Sequence, residues 1–218
     1  MNWTWSNVSG AFPMLLHGLV LTLEATLLGS ALAFALGLIL TLLRLARIPV
    51  ISQVTWAFVE FVRDTPLLVQ LYFVYFVFPV AFGLKMSSLV TGVITLGVHY
   101  AAYTSDTYRA GIQAVPKGQW EAATALSLPR HRIWLSVVLP QAIRRSLPSL
   151  GNYLISMFKD TPVLSTVGLL EMVGQAQQFG SANYSYVEPF TLAGFLFLVL
   201  SYPSSILVRR LQRYVGTQ

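Results

Sequence analysis

Two six-residue strings in this 218-residue chain carry the same chemistry in the same order. Arg63-Asp64-Thr65-Pro66-Leu67-Leu68 reads basic, Asp, Thr, Pro, aliphatic, Leu, and Lys159-Asp160-Thr161-Pro162-Val163-Leu164 repeats it. Each string lies inside an apolar run. A cation beside a carboxylate can pair internally, or the set can hold the ammonium and carboxylate of a zwitterion. A charge at the centre of a bilayer costs about 2.5–3.5 kcal/mol on insertion scales. Four such groups must therefore face one another, a wet cavity, or both. Proline removes a helical hydrogen bond and clashes with the preceding turn. Thr followed by Pro also reads as an N-cap followed by the first helical position. The strings predict broken helices that restart as half-helices, with free N–H groups and the positive dipole end turned inward. Midplane sites for anionic groups are built from such elements. The candidate binding residues are Arg63, Asp64, Thr65, Lys159, Asp160 and Thr161.

Glu24, in Leu-Thr-Leu-Glu-Ala-Thr-Leu, is a further candidate. It lines the same cavity, is protonated, or lies near the outer interface, and its depth decides which. Glu60 stands one helical turn before Arg63 and is placed to pair with it. Catalytic chemistry finds no foothold. The chain has no cysteine, and His17, His99 and His131 are far apart, with no ligand spacing. No GxxxxGK[ST] phosphate loop is present, so the chain does not itself hydrolyse ATP.

The elements that must position these residues are membrane spans. The chain is 55% hydrophobic and only 10% charged, whereas soluble domains carry about 25% charged residues. A helix needs about 20 apolar residues to cross a bilayer. Candidate spans are Pro13–Leu43, Thr55–Phe82, Ser88–Tyr108, Leu147–Leu170 and Phe190–Val208. The predicted fold is an all-α polytopic membrane bundle of about five helices, one domain over residues 1–218. The N-terminal segment lacks the basic region of a secretory signal, so the first apolar run reads as a retained span with Trp3 and Trp5 at the interface.

The net charge is +6, yet eleven of the fourteen basic residues sit at the ends of apolar runs on one side. That is a topology signal and not a nucleic-acid surface. Arg44, Arg47, Arg109, Lys117, Arg130, Arg132, Arg144, Arg145, Arg209, Arg210 and Arg213 fall inside if the N-terminus is outside and the C-terminus cytoplasmic. Lys85, Glu171 and Glu188 fall on the opposite side. Lys159 lies 14 residues beyond Arg145 and Arg63 lies 16 beyond Arg47. At 1.5 Å per residue both strings are expected roughly 21 Å or a little more into the bilayer, at comparable depth.

Between the third and fourth spans, residues 111–140 are too polar to span. Trp120, Ala123 and Leu126 recur at helical intervals, with Leu128 just past the stripe. Lys117-Gly118 is expected to break the chain, and Pro129 to end a short amphipathic helix, with a second around Ile133–Val138. Such a helix lies on the membrane surface or fits a groove on another protein.

This loop carries a resemblance. Glu121-Ala122-Ala123, with Ser127 and Leu139-Pro140, resembles the EAA motif of bacterial ABC importer permeases. VPKGQWEAA, LPQAIRRSLP, RDTPLLVQ and FKDTPVLS are similar to the subgroup that imports polar amino acids and opines. The similarity runs from the second span past Lys159, over half the chain. It implies a transmembrane subunit of the bacterial inner membrane. It implies, too, that Gly118, Glu121, Ala122, Ala123 and Ser127 dock an ATP-binding cassette ATPase, which holds the ATP and Mg while this chain binds no cofactor. The implied partners are that ATPase, an extracytoplasmic solute-binding protein, a second identical or related permease, and the lipid bilayer. The cargo would be a polar amino acid or similar small solute, a compatible solute included. Two positions depart from the pattern: Ser127 replaces the usual Gly, and Asp64 replaces the Gly of Arg-Gly-Thr-Pro. An ion-coupled secondary transporter, or a membrane-embedded enzyme using the Asp and Glu residues, are the rival classes, and neither needs the EAA-like loop.

Overall fold

A computed structural model describes residues 3–46 and 48–216. Arg47, one of the residues used above to assign sidedness, lies outside the described residues. The described residues form helices α1 (Trp5–Arg44), α2 (Pro49–Asp64), α3 (Leu67–Phe82), α4 (Ser88–Gln113), α5 (Lys117–Ala125), α6 (130–160), α7 (Met172–Asn183) and α8 (Val187–Gly216). The start of α6 carries a π-type turn at Ile133–Val138, and its end tightens into a 3₁₀ segment at Thr161–Val167. α1 and α8 are each long and apolar enough to cross a bilayer alone, and α2 with α3 is a third candidate bent by 106°. The expected spans at Ser88–Tyr108 and Leu147–Leu170 fall on α4 and on α6 with its 3₁₀ extension.

Small residues set the packing. Gly18, Thr22, Ala25, Gly29, Ala33 and Gly37 form a buried stripe on α1, and such stripes let membrane helices approach closely. A Cβ on Gly37 would collide with Thr104 Oγ1 and stand 3.1 Å from Ala101 O on α4. Hydroxyls then tie the two parallel helices: Thr104 Oγ1 donates to Ala33 O at 3.0 Å, and Thr41 Oγ1 to Ser105 O at 2.9 Å. The opposite surfaces carry exposed Val20, Leu27, Phe61 and Phe195, as lipid contact requires.

The breaks differ from the expectation in mechanism. Neither Thr65 nor Thr161 caps a following helix. Pro66 and Pro162 have no N–H, so the carbonyls four residues earlier, Val62 O and Phe158 O, lose their helical donors. Thr65 Oγ1 donates to Val62 O at 3.2 Å, and Thr161 Oγ1 to Phe158 O at 2.8 Å. Thr161 thus repairs the helix its proline damages, whereas Thr65 Oγ1 lies closer to Phe61 O at 2.9 Å, and Val62 O takes its shorter bond from Gln70 Nε2 at 2.7 Å. In the second string the true restart is Met172, and its first turn is not free. Glu171, the N-cap, accepts from Gly174 N at 2.7 Å and from Thr22 Oγ1 at 3.4 Å. Glu171 therefore does not lie at the end of the bundle that holds Thr4. It is fully buried beside Thr22, about 27 Å along α1 from Thr4, where Glu188 does sit (Thr4 N to Oε1, 2.9 Å). From there α7 runs back along α1, past Gly18 to Gly10.

Candidate functional site

Helix α2 packs on α1 and α4, with Val59 and Val62 against Leu40, Val98 and Ala102. It thereby delivers Arg63 to Asp106 of α4. Asp106 Oδ1 accepts from Arg44 at 2.7 Å, and Oδ2 accepts from Arg63 at 2.8 Å. Arg109 stands at 3.4 Å, and Glu60 pairs with Arg63 at 3.3 Å. One carboxylate thus joins the arginines of three helices. The Arg63 guanidinium thus shares a carboxylate with Arg44, the last residue of α1, while the neighbouring Val62 packs beside Val98 and Ala102.

Deeper along α4 comes an aromatic cluster. Tyr100 lies six residues before Asp106, about 9 Å along the helix. Its hydroxyl donates to Asp160 Oδ2 at 2.5 Å. Tyr100, Tyr103 and Tyr153 stand with ring centroids 5.9–6.1 Å apart. His99 packs on Tyr103 at 5.2 Å and meets Gln70 Oε1 through Nδ1 at 3.2 Å. Gln70 Nε2 donates to Val62 O and to Thr65 Oγ1, both at 2.7 Å, which fixes the α2–α3 break to this cluster. The Arg63 guanidinium lies 5.7 Å from the Tyr103 ring centroid, within cation–π range. Its Nε is buried and donates to nothing among the described residues.

The two strings therefore meet through Arg63 and Asp160, bridged by Tyr103 and Tyr100. Their other charged members are not brought in. Asp64 and Lys159 are exposed, and neither forms an ion pair among the described residues. Glu24 is likewise on an exposed face of α1. Thr65 and Thr161 serve the breaks. Sequence reasoning missed Asp106, Tyr100, Tyr103, Tyr153 and Gln70, and set His99 aside as an isolated helix histidine. The available signal was the polar pattern His99-Tyr100, Tyr103 and Asp106 at helical spacing within an otherwise apolar run.

The loop folds as α5, capped backbone-first by Pro116, so Lys117-Gly118 opens the helix and does not break the chain. Ala123 is buried and Trp120 stacks edge-on to Trp134 at 5.2 Å, which seats α5 on the start of α6. Gly118, Glu121, Ala122 and Leu126 face outward. Ile133–Val138 is no separate helix but the wide turn at the start of α6. Ser127 ends α5 at φ +51°, a left-handed conformation. That conformation costs about 1–2 kcal/mol for a residue with a Cβ. Ser127→Gly is expected to raise the thermal midpoint of the purified protein, and Ser127→Val to lower it; equal midpoints would show that the turn is unstrained.

Comparison with known proteins fits this geometry. Residues 33–216 match the family described as binding-protein-dependent transport system inner membrane component. A probable amino-acid ABC transporter permease protein of Sinorhizobium fredii is 44% identical over 94% of this chain and 92% of its own length. An arginine transport system permease protein of Bacillus subtilis is 34% identical over 92% and 91%. The crystal structure of an amino acid ABC transporter with histidines superposes at TM-score 0.90, with 33% identity over 98% of this chain and all of that one. The bent second span, the outward-facing α5 and these likenesses agree: the chain belongs to the binding-protein-dependent inner-membrane transport components, as a multi-pass amino-acid ABC importer permease and not an enzyme.

Proposed function

We propose that this chain forms half of an import pathway for polar amino acids or related small zwitterionic or cationic solutes, a compatible solute included. It pairs with a second copy or a related permease. Its N-terminus faces outward and its C-terminus the cytoplasm, with about five traverses between them. An extracytoplasmic binding protein delivers the solute, and two cytoplasmic ATPase subunits, holding ATP and Mg, dock on the α5 surfaces. Asp160 receives the ammonium and Arg63 the carboxylate, with Asp64, Thr65, Lys159, Thr161 and Glu24 lining the route. The observation that carries this reading is the Asp160–Tyr100–Tyr103–Arg63 series, in which an acid and a base are held apart by aromatic faces. The unused Nε of Arg63 supplies a donor for an incoming carboxylate. Sidedness is supported by contacts: Arg44 and Arg109 meet on Asp106 at one end, while Thr4 meets Glu188 at the other.

The coupling role is tested at Glu121, with Gly118, Ala122, Ala123 and Ser127 forming the rest of the docked surface. Losing a hydrogen bond to a charged group costs about 1.5–3 kcal/mol, or roughly ten- to a hundredfold in affinity. Glu121→Ala is expected to weaken ATPase binding by that factor in a pull-down titration and to lower solute-stimulated hydrolysis in proteoliposomes. Unchanged binding and coupling would end the assignment of α5.

A further inference from the structure

At the α1–α2 elbow the structure holds a cavity of about 270 Å³ that the solute pathway does not use. Its lining includes Arg44, Leu45, Gln53, Trp56, Arg109 and Gln113, and no carboxylate among the described residues lines it. We propose that this pocket binds the phosphate of an anionic phospholipid headgroup. The inference rests on the cytoplasmic placement of this end, proposed above.

Three observations support it. The surrounding cluster counts three arginines, Arg44, Arg63 and Arg109, against two acids, Asp106 and Glu60, and so keeps an uncompensated positive charge. Arginine forks match phosphate oxygens, and the side-chain amides of Gln53 and Gln113 complete such a cradle. Trp56 is 55% exposed, and α2 carries exposed Val50 and Val54 on its outward side, where acyl chains can lie. A tryptophan at the rim with apolar residues beyond it is the arrangement of a membrane–water boundary. A free phosphate would gain the same donors but would not use the apolar flank.

The test uses the permease–ATPase complex extracted from membranes of equal phosphatidylcholine and phosphatidylglycerol content. Retained lipid is measured by native mass spectrometry. The wild type is expected to keep phosphatidylglycerol preferentially. Gln53→Glu on α2 and Gln113→Glu on α4, both exposed positions, each place a carboxylate in the pocket. Each is expected to lower that preference about fivefold, the equivalent of about 1 kcal/mol per interfacial charge. No preference in the wild type, or a preference unchanged in both variants, overturns the proposal. So does inorganic phosphate binding with the same variant dependence when phosphatidylglycerol is not selected, since the pocket would then serve a free oxyanion. Sidedness is read separately. The chain has no cysteine, so Gln113→Cys reports which face of the membrane its position occupies, and failure of that placement is distinct from failure of lipid selection.

Discussion

Asp106→Asn is expected to cost the purified protein about 3 kcal/mol, the lower end of the range for breaking buried ion pairs, because Asp106 keeps some solvent contact. Arg44 is the reason. Its side chain is only 5% exposed, against 27% for Asp106, and asparagine leaves its charge without a counter-ion in a confined place. Arg63 loses its closer partner in the same step and keeps only Glu60 at 3.3 Å. Helices α1, α2 and α4 would then be held at this end by apolar packing and by Ser52 Oγ, which donates to Arg44 O at 2.8 Å. Thermal denaturation in detergent measures the loss. Arg109→Gln is the matched control, since its contact is 3.4 Å long and its side chain 41% exposed; exposed pairs contribute about 0.2–1 kcal/mol. If the two variants melt together, Asp106 is not the joint described here.

Much of this joint was invisible in the sequence, for a definite reason. Asp106 pairs with residues 62 and 43 positions away. No periodicity links such positions, because only the packing of α1 and α2 against α4 brings them together. The broken helices, by contrast, were legible, because the proline rule acts within one turn. Even there, the role of threonine was misread as a forward cap. A hydroxyl next to proline has two local options, capping ahead or donating backward, and both threonines donate backward.

The restart after the second break shows the same limit from another side. Glu171 reads as an ordinary outer-loop acid, because it follows the last apolar residue of the predicted span. Burying it requires a helix N-terminus to supply donors, and that N-terminus exists only because α7 folds back against α1 at Gly18. The short amphipathic α5 was readable for the opposite reason: its contacts, Trp120 with Trp134 and Ala123 with the start of α6, are local in sequence.

Asp160→Asn carries the largest expected functional effect. The substitution is nearly isosteric, and its amide oxygen still accepts from Tyr100, so the α4–α6 contact survives. What disappears is the negative charge facing the tyrosine rings, the one feature that would favour an ammonium group over water. A hydrogen bond to a charged partner contributes about 1.5–3 kcal/mol, so uptake into proteoliposomes should fall roughly ten- to a hundredfold. Co-purification of the ATPase and its basal hydrolysis should stay at wild-type levels. Tyr100→Phe removes only the donor that orients Asp160 and should lose less. Wild-type uptake by Asp160→Asn would remove the acid from the solute site. Loss of assembly in the same variant would instead assign Asp160, with Tyr100, to holding α4 against α6, and the ammonium would then need another partner along the exposed faces of Asp64 or Glu24.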